Sequence, residues 1–329
     1  MVFIYFILAA AITVYAAIKL STYADVISEK STMSGMLVGT VLLAGATSLP
    51  EVTTSVSAVM INNPDIAIGN MLGSNLFNIF ILAMFDLYYR QKRLFNEASR
   101  DHLYTASLGL MLTLVTMLAL VIRIDFTILG IGIDALLIAG LYAIGIYYIG
   151  QRPKELSTER EVEQEVGVSV TDSIPIKRAV IGFIIAALVI MAAGTALSVL
   201  GDQIAVVTGL GSSFVGSFLI AASTSLPEAV AVFVALKLGN VNLAFGSILG
   251  SNIFNMLIIA LSDVFYRGGS ILADVSTSHL VTAIGITILS ILVMYSVLRK
   301  DVTSKFRYVL PSVLVILVYF ASSYFIFIG

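Results

Sequence analysis

The sequence predicts an all-α membrane protein of ten transmembrane helices, arranged as two inverted-topology five-helix repeats with proline kinks in helices 2 and 7. Three observations predict this fold: the composition, the number of long apolar segments and an internal duplication. Of the 329 residues, 59% are hydrophobic and only 12% are charged. A soluble domain carries about 25% charged residues, so a lipid bilayer must surround most of this chain.

Ten segments are apolar for long enough to cross a membrane, since a spanning helix needs about 20 apolar residues. They lie near residues 2–19, 33–61, 66–88, 103–122, 127–149, 179–199, 210–238, 243–265, 278–298 and 308–328. The first segment has no basic region before it and no small-residue cleavage site behind it. It is therefore expected to be a retained helix and not a signal peptide.

The basic residues predict the orientation of these segments. With the N-terminus placed outside, 16 of the 18 Lys and Arg residues fall on the cytoplasmic side, and only Arg123 and Arg267 fall outside. Basic loops are retained in the cytoplasm. We therefore expect a multi-pass cell-membrane protein with both termini extracellular.

The chain contains an internal duplication with a constant offset of 177 residues. The stretch GTVLLAGATSLPE at 39–51 returns as GSFLIAASTSLPE at 216–228, and GSNLFN at 73–78 returns as GSNIFN at 250–255. Five predicted crossings separate the two copies, so the copies run through the membrane in opposite directions. Inverted repeats of this kind are typical of secondary transporters, which bind their substrate where the repeats meet.

The duplication also predicts the domain organisation. Residues 1–149 form the first five-helix repeat, and residues 179–329 form the second. The polar stretch 150–178 joins them and is expected to be a solvated cytoplasmic linker, with a regulatory role as the alternative.

Each repeat places one acid in the middle of the membrane, Glu51 in the first and Glu228 in the second. A charged side chain at the bilayer centre costs about 2.5–3.5 kcal/mol even on the mildest scale. No Lys or Arg lies at a comparable depth in any predicted segment. The compensating charge is therefore expected to be a metal cation or a proton. The alternative interpretation is two protonated acids that pack helices through hydrogen bonds.

The residues around both acids offer oxygen ligands. Pro50 and Pro227 precede the acids, and a helix-interior proline frees carbonyl groups three to four residues upstream. Hydroxyl and amide oxygens recur in both copies, and the chain has no cysteine. Ca2+ takes about 6–8 oxygen ligands, so a hard cation fits best. For the serines and asparagines the alternative is hydrogen bonding between helices.

Helical spacing places these ligands together. In both Ser-x-x-x-Asn motifs, at 74–78 and 251–255, the i,i+4 spacing puts the serine and asparagine side chains on one helical face. Gly69-x-x-x-Gly73 and Gly246-x-x-x-Gly250 are expected to let a neighbouring helix approach closely.

The paired TSLPE and GSNxFN motifs resemble the two alpha repeats of the sodium/calcium exchanger family, within the cation/Ca2+ antiporter superfamily. The resemblance covers the whole chain in layout and is strongest over 36–90 and 213–267. It implies a prokaryotic-type exchanger without a large regulatory loop. It also implies a Ca2+ site at Glu51 and Glu228 with flanking Na+ sites. The residues that it implies as ion ligands are Ala44, Thr47, Ser48, Glu51, Ser74, Asn78, Ala221, Thr224, Ser225, Glu228, Ser251 and Asn255.

One position departs from the family pattern. Well-known members have aspartate where this chain has Asn255. Two carboxylates neutralise one Ca2+ or two Na+, so a third Na+ would leave the occupied site with a net positive charge. We therefore expect near-neutral occupancy.

The resulting hypothesis is a secondary antiporter that exchanges Ca2+ for Na+ by alternating access. The alternative is exchange of Ca2+ for H+ at the same glutamates, and a cation channel is the remote alternative. No enzyme activity, resident cofactor, nucleic-acid partner or obligatory oligomer is expected, and the partners are the two ions and the bilayer.

Four further features are open to interpretation. Asp134 is expected to form a buried hydrogen bond with a Ser or Tyr, with proton handling as the alternative. Asp86 and Asp263 are expected to anchor helix ends at the membrane surface. Segment 6, with Gly182 and Gly194, resembles the family's sliding element, although helix packing alone would also explain its glycines.

Overall fold

A computed structural model describes residues 1–30, 47–151, 174–237, 239, 241–299, 302 and 304–328. The described chain is almost entirely helical. Its helices are α1 Val2–Lys30, α2 Leu49–Met60, α3 Pro64–Tyr88, α4 Leu94–Glu97, α5 His102–Ile122, α6 Ile133–Gly150, α7 Ile176–Thr208, α8 Ser212–Phe214, a π-helix Val215–Ile220, α9 Ala221–Thr224, α10 Leu226–Lys237, α11 Val241–Phe265, α12 Ile271–Asp274, α13 His279–Leu298 and α14 Lys305–Ile328.

Eight of the described helices are long and apolar enough to cross a membrane, and a ninth span results if the bent pair Ser212–Thr224 and Leu226–Lys237 counts as one. The chain is thus a multi-pass helical membrane protein. The predicted second segment, 33–61, lies partly outside the described residues, and the count of ten stays a prediction. Most of the predicted 150–178 linker also lies outside them, but α7 already begins at Ile176.

Helix boundaries recur with the offset found in the sequence. The helices α2, α3 and α4 begin at Leu49, Pro64 and Leu94. Their counterparts α10, α11 and α12 begin 177 residues later, and each counterpart has the same length as its original. Similar sequences in the two halves therefore fold into the same succession of helices.

The centre of the molecule is formed by α3 and α11, which are the most buried of the candidate spans. These helices contact each other, and α3 also contacts α2, the π-helix, α13 and α14. The close approach depends on glycine: a Cβ at Gly73 would lie 2.2 Å from the Ser217 carbonyl oxygen, and one at Gly216 would lie 2.7 Å from that of Ile66. The predicted role of the first glycine motif is therefore confirmed. For the second motif it was wrong, because nothing described lies within 4 Å of a Cβ at Gly250 and only His102 does so at Gly246, at 3.7 Å.

The predicted fifth segment was wrong at its start. Residues 127–132 form a short antiparallel hairpin, Thr127–Ile128 with Ile131–Gly132, and α6 begins only at Ile133. The turn uses positive φ at Leu129 and Gly130, a backbone conformation that ends a helix. Asp134 thus lies in the first turn of α6, where its carboxyl accepts the one hydroxyl proton of Ser270, whose Oγ lies 2.8 and 2.9 Å from the two carboxyl oxygens. The expected buried hydrogen bond is confirmed.

Asp86 and Asp263 are not surface anchors, because both side chains are fully buried. The Asp263 carboxyl accepts the backbone N–H groups of Gly132 and Ile271, at 2.6 and 2.8 Å. Asp86 accepts hydrogen bonds from the hydroxyls of Tyr308 and Ser312. Asp86 therefore ties α3 to α14, and Asp263 ties α11 to the chain that follows it and to the hairpin of the other half.

Two histidines make repeat-related contacts. His279 Nε2 lies 2.9 Å from Asp65 Oδ1, and His102 Nε2 lies 3.2 Å from Asn242 Oδ1. His279 and Asn242 follow His102 and Asp65 by 177 residues, so each contact joins one half of the chain to the other. The two contacts differ in chemistry, because the partner of His279 is the carboxyl group of Asp65, whereas the partner of His102 is the amide of Asn242.

The long helices α1 and α7 pack along each other beside this centre. Their interface has its own apolar cluster, which is separate from the main core and is formed by Ala16, Ala17, Leu20, Ala186 and Ile190. Small side chains dominate it, so the two helix backbones lie close together. The helix α7 also contacts α2, where a Cβ at Gly194 would lie 2.3 Å from Thr53 Oγ1.

Candidate functional site

The two glutamates lie in equivalent positions at the start of two short helices. Glu51 is in the first turn of α2 and Glu228 in the first turn of α10. Each side chain is 1% exposed. The two carboxyls are close enough to interact electrostatically. Both acids are thus buried within the protein, and their joint cation site stays a prediction.

A broken helix presents the second glutamate. The π-helix and α9 lead to Ser225, where the chain bends by 41° before α10 continues. Pro227 follows the break, and it has no N–H to donate to the Ser223 carbonyl four residues earlier. A carbonyl without its helical partner is tolerated at membrane depth only where protein or a cavity surrounds it. The proline therefore leaves the Ser223 carbonyl without its usual helical donor, five residues before Glu228.

Hydroxyl groups of the second half reach the acid of the first half. Ser225 Oγ donates to Glu51 Oε1 at 3.3 Å, and the Thr224 hydroxyl lies beside the same carboxyl. Thr224 Oγ1 also donates to Asn70 Oδ1 at 3.1 Å, and Asn70 in turn donates to Ser55 Oγ at 3.0 Å. This string of hydrogen bonds ties α9, α3 and α2 together around Glu51.

Four asparagines join α3 and α11 behind the glutamates. Asn75 and Asn252 each donate their amide N–H to the other's backbone carbonyl, at 3.1 and 3.3 Å. Asn78 donates to Asn252 Oδ1 at 3.0 Å, and Asn255 donates to Asn75 Oδ1 at 2.9 Å. If each asparagine is replaced by its equivalent 177 residues away in the other half, the same four hydrogen bonds result.

Several of the predicted ligand residues have a buried oxygen without a hydrogen-bond partner among the described residues. Buried polar atoms are almost always paired, so these oxygens are available to a bound cation. The unpaired oxygens are Glu51 Oε2, Glu228 Oε2, Ser74 Oγ, Asn78 Oδ1 and Asn255 Oδ1. All are hard ligands of the kind that Ca2+ and Na+ prefer.

When both glutamates are ionised, their negative charge has no compensating partner in the described part of the chain. In the described part of the chain no basic side chain contacts either glutamate. Nor do three or more acidic, histidine or cysteine side chains gather anywhere within the described residues. Two ionised carboxylates in such surroundings require a cation from outside the chain.

The remaining predicted ligands have mixed outcomes. Ala44 lies outside the described residues. Thr47, Ser48 and Ser251 are buried, and Ser48 is the residue that precedes α2. The Ala221 carbonyl accepts the N–H of Ser225 at 3.0 Å and lies 3.3 Å from Thr224 Oγ1. It is thus already engaged, unlike the oxygens described above.

Two polar residues near the site were not singled out from the sequence. Asn70 belongs to the hydrogen-bond string around Glu51, and Ser217 in the π-helix has a buried hydroxyl without a partner among the described residues. A signal for Asn70 was available, since it precedes Ser74 and Asn78 by one and two helical turns and shares their face.

The fold defines the class of protein: a multi-pass helical membrane protein, here with two carboxyl groups buried among its helices. The family model described as "Sodium/calcium exchanger protein" matches residues 1–150 and 178–328. The chain therefore belongs to the sodium/calcium exchanger protein family, whose members are membrane antiporters that move Ca2+ against another cation and not enzymes.

Individual relatives agree with this family. The chain is 26% identical over 263 residues to the "Putative antiporter CaxA" of Alkalimonas amylolytica, which covers 78% of each protein. The "H+/Ca2+ Exchanger CAX" has the same fold with a TM-score of 0.66 at 18% identity, covering 99% of this chain and 89% of that one. The sodium-calcium exchanger NCX_Mj has a TM-score of 0.57 at 21% identity, covering 98% of both chains.

Proposed function

We propose that this protein exchanges Ca2+ for Na+ across the cell membrane by alternating access, with Glu51 and Glu228 as the shared carboxylates. The observation that carries the proposal is that five predicted ligand residues, the two glutamates among them, each have a buried oxygen without a partner in the described part of the chain. The amide and hydroxyl oxygens of these residues favour a metal ion as the counter-cation, because a proton does not need several oxygen ligands around it.

Competition for the same carboxylates explains the coupling. With Ca2+ or Na+ bound, the negative charge of the site is balanced and the site can cross the low-dielectric interior. Without a cation, two like charges would be buried close together, which is strongly unfavourable. The protein is therefore expected to change its open side only when it is loaded, and this restriction links the two fluxes.

The architecture that we propose is ten helices in two inverted repeats, 1–149 and 179–329, with both termini outside. It is supported by the helix boundaries that recur 177 residues apart and by the reciprocal contacts between Asn75 and Asn252. Reciprocal contacts between equivalent residues are those of a twofold relation. Two repeats related by an axis in the membrane plane form the usual frame of a transporter.

The test is uptake of radioactive Ca2+ into liposomes that contain the purified protein, driven by an outward Na+ gradient. We expect Glu51→Gln and Glu228→Gln each to abolish uptake while the protein still elutes as a folded species. Glu97→Gln is the matched control, because Glu97 is an exposed acid on α4. Normal uptake by either site variant would refute the assignment of the glutamates.

A second candidate is exchange of Ca2+ for H+, favoured by the similarity in fold to the H+/Ca2+ exchanger CAX. The same liposomes distinguish the two. Uptake driven by a pH gradient in Na+-free buffer, at the rate seen with a Na+ gradient, would replace Na+ by H+ in the proposed function.

A further inference from the structure

We infer that Asn75 and Asn252 are positioning residues that turn the amide oxygens of Asn255 and Asn78 towards the transported cation. This inference rests on the proposed function, and it assigns a role to two residues that contribute no ligand of their own. It starts from the direction of four hydrogen bonds at the crossing of α3 and α11.

The donor-to-acceptor direction of these hydrogen bonds is set by two backbone carbonyls, which can only accept hydrogen bonds. The carbonyl of Asn252 accepts from the side chain of Asn75, and the carbonyl of Asn75 accepts from the side chain of Asn252. The NH2 group of each side chain is thereby fixed on its neighbour's backbone. The Oδ1 atom of each must then point the other way.

These two Oδ1 atoms fix the next pair of amides. Asn75 Oδ1 accepts from Asn255 Nδ2 at 2.9 Å, and Asn252 Oδ1 accepts from Asn78 Nδ2 at 3.0 Å. The reversed orientation of Asn255 or Asn78 would place two acceptor oxygens against each other. The NH2 ends of these amides are therefore held inward, at the helix crossing.

The other ends of the same amides carry the unpaired oxygens. Asn255 Oδ1 and Asn78 Oδ1 are buried and have no partner among the described residues. An amide that was free to rotate would present NH2 half of the time, and NH2 repels a cation. The two bonds from Asn75 and Asn252 thus keep an oxygen ligand available before the cation arrives.

Each orienting asparagine bonds one ligand amide in the other half of the chain, which makes the inference testable. Asn75 orients only Asn255, and Asn252 orients only Asn78. Asn75→Ala and Asn252→Ala are each expected to weaken Ca2+ binding by about 10- to 100-fold, the usual contribution of residues that orient metal ligands. Binding is measured by titration calorimetry on the purified full-length protein with Ca2+ alone.

The decisive variant is Asn255→Asp, because a carboxylate presents an oxygen at both ends and needs no orientation. In the Asn255→Asp background, Asn75→Ala should cause no further loss of Ca2+ affinity. In the same background Asn252→Ala should still cause its full loss, because it acts on Asn78. A purely structural role for Asn75 predicts equal losses in both backgrounds, and that result would overturn the inference.

Folding and function are separated by two further measurements. Thr113→Val removes a hydroxyl that bonds only its own helix, at Gly109, and is expected to leave Ca2+ affinity unchanged. Asn75→Leu, which fills the volume of Asn75, replaces the alanine variant if that variant does not fold. Unchanged Ca2+ affinity in these Asn75 variants would overturn the inference alone. Wild-type protein that binds no Ca2+ would overturn the proposed function and this inference with it.

Discussion

The number of carboxylates at the site determines how many cations can be neutralised there. Glu51 and Glu228 provide two negative charges, whereas Asn78 and Asn255 provide neutral oxygens. One Ca2+ or two Na+ would balance this charge. A third Na+ would place a net positive charge in a low-dielectric interior, which is unfavourable.

We therefore predict that the wild-type protein exchanges two Na+ for one Ca2+ without moving net charge. Asn255→Asp should add a third negative charge and make the exchange electrogenic, with three Na+ for each Ca2+. The measurement is the reversal potential of Ca2+ flux in liposomes clamped with K+ and valinomycin. A wild-type reversal potential that already corresponds to three Na+ would contradict the neutrality argument.

At the residue scale the sequence predicts which side chains bind the cation but not how they are paired. Glu51 and Glu228 could be predicted because an acid inside an apolar segment is costly and rare. The direction of the hydrogen bonds among Asn75, Asn252 and their neighbours could not be predicted. It depends on which amide end faces a backbone carbonyl of the other half, and no local pattern encodes that.

Among the elements, the contact between α3 and the π-helix leaves no room for a side chain at Gly73. We predict that Gly73→Ala destabilises the protein by about 1–3 kcal/mol or more, the usual cost of overpacking a core. Thermal unfolding followed by size-exclusion chromatography provides the measurement. Gly140→Ala on α6 is the matched control, since nothing described lies within 4 Å of a Cβ at that position. Equal unfolding temperatures for the two variants would contradict the packing argument.

The bend before α10 is the second element with a testable consequence. We predict that Pro227→Ala lowers Ca2+ affinity by at least about tenfold, equivalent to 1.4 kcal/mol. The reason is that an N–H at position 227 can pair with the Ser223 carbonyl, straighten the helix and move Glu228 away from Glu51. Titration calorimetry measures the affinity.

Pro311→Ala is the control for this change, because Pro311 lies inside α14 and outside the site. It should leave Ca2+ affinity unchanged. A Pro227→Ala protein with wild-type Ca2+ affinity would show that the bend does not position Glu228.

Element boundaries followed from the sequence wherever the two halves repeat each other, as for α3 and α11. Element boundaries did not follow from the sequence where a turn lies within a continuous apolar segment. Residues 127–132 are as apolar as the helix behind them, so hydropathy merged the hairpin with α6. The positive φ angles of Leu129 and Gly130 separate the hairpin from α6. A leucine in the sequence does not predict a positive φ angle, because residues other than glycine adopt one rarely.

For the molecule as a whole, the separate apolar cluster between α1 and α7 suggests that these helices move as a pair against the remainder. Two hydrogen bonds connect α7 to α2: Ser57 Oγ lies 2.9 Å from Thr195 Oγ1, and Ser198 Oγ donates to the Thr54 carbonyl at 2.6 Å. Alternating access by such a movement would require the bond between Ser57 and Thr195 to break or shift.

We predict that a disulfide between Ser57→Cys and Thr195→Cys stops exchange and that a reducing agent restores it. The natural chain has no cysteine, so no other thiol can interfere. Ca2+ uptake into liposomes is measured before and after oxidation, with Ser57→Cys alone as the control. Full uptake by the oxidised double variant, with the disulfide verified by mass spectrometry, would exclude relative movement at this contact.

The histidine contacts that join the two halves carry a consequence for directionality. In the inverted arrangement proposed here, the pair of His279 with Asp65 and the pair of His102 with Asn242 lie at opposite ends of the molecule. An acid opposite imidazole and an amide opposite imidazole are separated with unequal work. If each end of the molecule opens by separating its own histidine pair, the two ends open with unequal ease. We then expect faster exchange in one direction than in the other under equal and opposite driving forces.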